Sequence, residues 1–222
     1  MPFKLSKSAK AMITKWKLWN SAIEDELTQL LASQQIFRYY KVFVQANPKI
    51  DRSGMIFHHW VRDNYYTYVA MAIRRQVDLK KDVISLMRLI DGIKKNPQYL
   101  TRAWHMSLYS PAMQAAANDF FTKMAGTGSY FDPKIAERDL KKLEEISSKV
   151  TQIADRAIAH NSNRPSGNVT FNEIDECIRG FQEMAQKYYL LLTASSINLD
   201  PSMDHSWLAI FADWQSQDAG DS

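Results

Sequence analysis

Arg156 and His160 lie four residues apart near the end of a long predicted helix, so their side chains share a face. A histidine titrates near neutrality and serves as a general acid or base. An arginine beside it holds a phosphate and offsets the charge that develops in phosphoryl transfer. Together they are the minimum for metal-independent RNA cleavage, in which the ribose 2′-hydroxyl attacks the adjacent phosphate. Two copies across a dimer would supply one acid and one base. The same pair also fits an ordinary surface helix end, where the macrodipole favours a histidine cation. Asp155 directly precedes Arg156 and is the candidate orienting group. Arg164, in the polar stretch beyond, and Arg74-Arg75, at the end of another predicted helix with Asp78 just past it, are the candidate phosphate contacts. The plain alternative for Arg74-Arg75 is two cations complementing the negative end of a helix.

Other chemistries find little support. The five histidines are His58, His59, His105, His160 and His205. Neighbours on a helix point about 100° apart, so His58 and His59 do not readily share one ion. No His-Glu-x-x-His, Cys-x-x-Cys or Glu-x-x-His pattern occurs, so no metal and no cofactor is expected. Gly126-Thr127-Gly128 follows no strand and precedes no Lys-Ser or Lys-Thr, so it reads as a helix stop rather than a phosphate loop. No Gly-x-Ser-x-Gly elbow exists, and the single cysteine, Cys177, reads as a buried inert thiol.

These residues need a scaffold, and the composition specifies one. The chain has 222 residues, 45% hydrophobic and 12% aromatic, enough for one globular domain without disulfides. No apolar run approaches the roughly 20 residues of a membrane span. One thiol and no secretory leader point to the cytoplasm. The net charge is +4, and Lys4, Lys7, Lys10, Lys15 and Lys17 all precede the first acid, Glu24. Residues 1–20 therefore read as a solvated basic arm, residues 21–212 as one bundle and residues 213–222 as a frayed tail. Attachment of the arm to a membrane surface would need an apolar face opposite the lysines; Phe3, Leu5, Met12, Ile13, Trp16 and Trp19 offer an irregular one.

No segment shows sustained alternation, so the fold class is all-α. The capping box Ser21-Ala22-Ile23-Glu24 predicts the start of a first helix that ends before Asn47-Pro48. A second helix over about 53–77 carries Phe57, Trp60, Tyr65, Val69 and Ile73 on a wide apolar face. A third over about 81–94 ends at Lys94-Lys95. Ser110-Pro111 opens a helix to about Met124, and Asp132-Pro133 opens the longest, to His160. After the loop 161–168, the capping box Thr170-Phe171-Asn172-Glu173 begins a last helix through about Ala194, and Trp207–Phe211 forms a short docking segment.

Two segments are similar to HEPN domains of the abortive-infection, AbiU-like type. One is Tyr68-Val69-Ala70-Met71-Ala72-Ile73-Arg74-Arg75-Gln76-Val77-Asp78 followed by Ser85-Leu86-Met87-Arg88-Leu89-Ile90; the other is Asp155-Arg156-Ala157-Ile158-Ala159-His160. The resemblance covers roughly residues 20–195. It implies a HEPN-like antiparallel bundle of five to seven helices, a homodimer, and RNA as substrate or ligand, in phage-defence or toxin–antitoxin systems where an antitoxin protein is a partner. His160 carries over as acid/base and Asp155 as orienter. The family's late helix ends Arg-Asp-Lys-x-x-Ala-His; aligning Asp155 and His160 puts Ala154 in the arginine place and Arg156 in the lysine place. Either Arg156 or Arg164 then supplies the cation, or the chemistry is lost and the chain is a non-catalytic dimerisation or interaction module.

Overall fold

The computed structural model describes residues 5–47, 54–155 and 169–199, and Ala209. The described residues form seven α-helices: α1 (Lys7–Ala46), α2 (Met55–Gln76), α3 (Leu86–Lys95), α4 (Arg102–Ser107), α5 (Gln114–Ala125), α6 (Pro133–Ile153) and α7 (Phe171–Thr193). No strand occurs among them; Thr101 and Tyr130 make one isolated antiparallel bridge. The all-α bundle expected from the sequence is the fold found.

α1 is 40 residues long and begins earlier than its internal capping box suggests. Ser6 caps it, accepting from the Ala9 amide at 3.1 Å. Residues read as a solvated arm are its first turns: Ile13 and Trp16 are buried with Ile23 and Leu27 in one continuous stripe. Burying a large apolar side chain stabilises by about 1.5–3 kcal/mol, which outweighs a second start signal at Ser21. α2 runs antiparallel to α1, with Tyr65 stacked on Phe37 (centroids 4.1 Å apart) near one end and Arg75 reaching Glu26 near the other. Its apolar face is narrower than expected, since Phe57 and Trp60 stay exposed while Tyr65, Val69 and Ile73 are buried.

α3 begins at Leu86 rather than near Lys81, because the Ser85 hydroxyl accepts from the Arg88 amide and so fixes the start. The segment 97–113 holds two short 3₁₀ turns and α4; the second turn, Pro111–Met113, starts at the expected Ser110-Pro111 and leads into α5, whereas the first and α4 were not disclosed by the sequence. A corner follows in which Arg102 binds the loop after α5. It donates to the carbonyls of Gly126 (2.6 Å), Gly128 (3.0 Å) and Asn118 (3.2 Å), to the Asn118 side chain (2.7 Å) and to the Thr122 hydroxyl (2.8 Å). Gly126, at φ 97°, a backbone conformation that favours glycine, ends α5 where the sequence placed a helix stop.

α6 and α7 are antiparallel. Asp139 pairs with Lys187, Lys142 with Glu183, and Lys149 with Glu173. They approach closely where a Cβ on Gly180 would lie 2.2 Å from Ile146 Cδ1. Asp132 caps α6, and the Thr170–Glu173 capping box opens α7 as predicted. Glu173 serves both that cap and Lys149, whose hydrogen bond is the largest cause of its pKa falling to about 2. Cys177 is buried and its thiol is pushed up to about 12 by desolvation, as expected for an inert residue. No helix among the described residues is long and apolar enough to cross a membrane.

Candidate functional site

The last turn of α2 divides its polar residues between two neighbours. Gln76 is buried and turns to α1, where its amide donates to Glu26; its carbonyl oxygen accepts from the Leu86 amide at 3.0 Å. Arg75 follows it, donating to Glu26 at 3.2 Å. Arg74 turns to α6 instead, where its Nε donates to an oxygen of Asp155, 81 residues away in sequence. That hydrogen bond is the main reason its pKa is raised, against the opposing effect of desolvation. The Arg74 and Asp155 side chains are 31% and 48% exposed, so the pair sits at solvent and contributes at most about 1 kcal/mol of stability.

Around this pair opens a cleft of about 490 Å³. The C-terminal half of α6 lines it with Ser147, Ser148, Thr151 and Gln152. The segment after α2 adds Asp78 and Lys80, and Val77 and Met87 are apolar parts of the lining. The three hydroxyls are committed as donors to their own helix: Ser147 to the Leu143 carbonyl at 2.7 Å, Ser148 to that of Glu145 at 3.0 Å, and Thr151 to that of Ser147 at 3.1 Å. They remain acceptors only, so no serine here is poised as a nucleophile. Arg74 and Lys80 are the cations of the cleft. Among the described residues only the Nε of Arg74 is engaged, which leaves its two terminal nitrogens as the donors best placed for an anion.

Of the sequence-predicted site residues, Asp155 and Arg74 are brought together, whereas Arg75 is directed away to Glu26. His160, Arg156 and Arg164 lie outside the described residues. Ala154, in the family's arginine place, is fully buried in the core. An arginine there would carry a charge into apolar packing, which costs roughly several kcal/mol unless it is paired. Sequence reasoning missed the α6 wall. The signal was available: Ser147, Thr151 and Asp155 recur at fourfold spacing, a polar stripe beside the apolar one. Among the described residues no group of three His, Cys, Asp or Glu side chains could hold a metal ion.

No curated protein and no solved structure matches the chain. A family model described as AbiU2, of the HEPN type, matches residues 13–206, which takes in all seven helices except the first turns of α1. The two segments that carried the sequence resemblance meet at Arg74 and Asp155, and the chain belongs to the AbiU2 family of HEPN domains, an abortive-infection lineage.

Proposed function

We propose that the chain is a phage-defence protein that cleaves RNA without a metal, at the helix end running from Asp155 to His160. The observation that carries this reading is the Arg74–Asp155 pair, which brings an arginine from α2 to the start of the motif segment. In the reaction, a His160 imidazole takes the proton of a ribose 2′-hydroxyl as that oxygen attacks the adjacent phosphorus. The bond from phosphorus to the 5′-oxygen breaks, and an imidazolium, from a second copy in a homodimer, gives that oxygen its proton. The products are a 2′,3′-cyclic phosphate and a 5′-hydroxyl. Asp155 orients Arg74, whose terminal nitrogens hold the phosphate oxygens and stabilise their charge in the transition state. Arg156 and Arg164 are additional phosphate contacts. The activity belongs in the cytoplasm, held in check by an antitoxin protein.

The test is RNA cleavage in the presence of a chelator, wild type beside His160→Ala. Cleavage to cyclic-phosphate ends that falls about 10²–10⁴-fold in the variant is the expected result. Cleavage that His160→Ala leaves untouched would sink the assignment.

One observation favours a second reading. Ala154 fills the family's arginine place with a methyl group sealed in the core, so the helix itself has given up that cation. In this reading the same helix end is a dimer or partner surface and the chain binds without cutting. It predicts retained dimer in sedimentation and no cleavage of any RNA tested.

A further inference from the structure

Several cations among the described residues are neutralised by carboxylates. Arg38 pairs with Asp175, Arg74 with Asp155, Lys142 with Glu183, Lys149 with Glu173 and Lys187 with Asp139. The first half of α1 carries four lysines in eleven residues and no acid. Lys7, Lys10, Lys15 and Lys17 have no carboxylate partner among the described residues, and no acid precedes Glu24. Two of them rest on tryptophan rings instead: Lys15 Nζ is 4.7 Å from the Trp19 centroid and Lys17 Nζ is 5.7 Å from that of Trp104. Arg88 of α3 lies 4.5 Å from the same Trp19 ring. A ring orders a cation without cancelling its charge, so these groups stay available to an anion. Their position is also poor for the helix. Lys7 and Lys10 stand in its first turns, against the positive end of the dipole, where acids would stabilise it and none is present.

We propose that the first half of α1, with Arg88, is a second polyanion-binding face that holds the phosphodiester backbone of single-stranded RNA. The choice of RNA rests on the function proposed above; the arrangement of charge does not. A membrane surface fits less well, because an interfacial helix needs an apolar face free to enter lipid. Here Ile13 and Trp16 are spent on the core, and Leu18, 68% exposed, is the one large apolar side chain exposed in this half of α1 among the described residues. Four lysines within eleven residues, two of them held on tryptophan rings, offer a flexible row of phosphates an unneutralised stretch of charge, and such contact is sequence-tolerant.

The experiment is fluorescence anisotropy of a labelled oligouridylate at a series of salt concentrations, with full-length wild type, His160→Ala and the quadruple variant Lys7→Gln/Lys10→Gln/Lys15→Gln/Lys17→Gln. The quadruple variant should bind at least about tenfold more weakly, with a salt slope shallower by about 0.7 per lysine removed. A double variant, Lys7→Gln/Lys10→Gln, guards against misfolding; it relieves the dipole conflict, should melt no lower than wild type, and should lose about half of the slope change. Unchanged affinity and slope in both lysine variants would overturn the proposal, as would wild type that binds vesicles of anionic lipid but not RNA. If His160→Ala cleaves like wild type while the lysine variants lose RNA, the nuclease reading falls and this face stands.

Discussion

Arg102 and Arg74 are the same side chain put to opposite uses. Arg102, at the corner between α4 and α5, gives all three of its nitrogens to five neutral acceptors and lies against the buried Phe121 ring. Each of its nitrogens is engaged by the fold. Arg74, at the cleft between α2 and α6, uses one nitrogen on one exposed carboxylate. The first arginine clamps, beside the Thr101–Tyr130 bridge and the Asp132 amide bond to the Ala125 carbonyl, a loop that folds back on α4, so its hydrogen bonds are structure. The second is held in direction but not consumed. A guanidinium with spare donors at an open cleft is free to take a ligand, whereas one whose nitrogens are all engaged is a rivet.

The contrast can be broken by substitution. Arg102→Ala should cost the most, about 2–4 kcal/mol in urea denaturation, because it strips partners from the carbonyls that end α5. Arg102→Lys should recover little of that, since an ammonium cannot span five acceptors in a plane. A loss below about 1 kcal/mol would show that the loop is held by something else.

A smaller, pH-dependent effect belongs to the same corner. His105 is fully buried, its Nδ1 3.0 Å from the Leu191 carbonyl. That bond makes Nδ1 the donor and leaves Nε2, which has no partner among the described residues, as the bare nitrogen; the Tyr109 hydroxyl nearby is also unpartnered among them. Desolvation, with the charge of Arg102 adding to it, lowers the pKa of His105 below 6.5 and outweighs the opposing hydrogen bond to Leu191. The unfolded chain therefore binds a proton that the folded chain refuses, and stability is lost as pH falls from 6.5 toward the folded value. Urea midpoints measured across that window should decline toward acid, and His105→Gln should flatten the decline. A midpoint independent of pH would mean that the ring takes its proton without cost.

Least effect on stability is expected from Arg74→Gln, below about 1 kcal/mol, because the pair is exposed. Its effect on RNA cleavage should be about tenfold or more, the worth of a charged phosphate contact. Should Arg74→Gln unfold the protein as Arg102→Ala does, the two arginines would be alike and the cleft would lose its best donor.

What the sequence disclosed follows the range over which each signal acts. Capping at Thr170, Asp132 and Gly126 is decided within four residues, and each stands where the sequence put it. The start of α1 failed for the same reason. Ser21-Ala22-Ile23-Glu24 is a valid local box, but the stripe Ile13, Trp16, Ile23, Leu27 runs straight through it, and packing against the bundle decides. α4, six residues long, is too short to show a period. The pairing of Arg74 with Asp155 was invisible because no local rule links positions 81 apart; only the shared ending of α2 and α6 on one face makes them neighbours.

The link between α2 and α3 bears on how tightly the cleft can hold anything. Its nine residues are tied at both ends by Gln76, whose side chain accepts from Leu86, and internally by Asp78, which accepts from the Lys80 amide at 2.9 Å. The Ser85 hydroxyl donates back to the Asp78 carbonyl, and Arg88 donates to that of Val83. A wall assembled this way surrendered its conformational entropy when the protein folded. An incoming ligand meets it already set, and association is spared the roughly 0.5–1.5 kcal/mol that ordering each side chain would otherwise subtract.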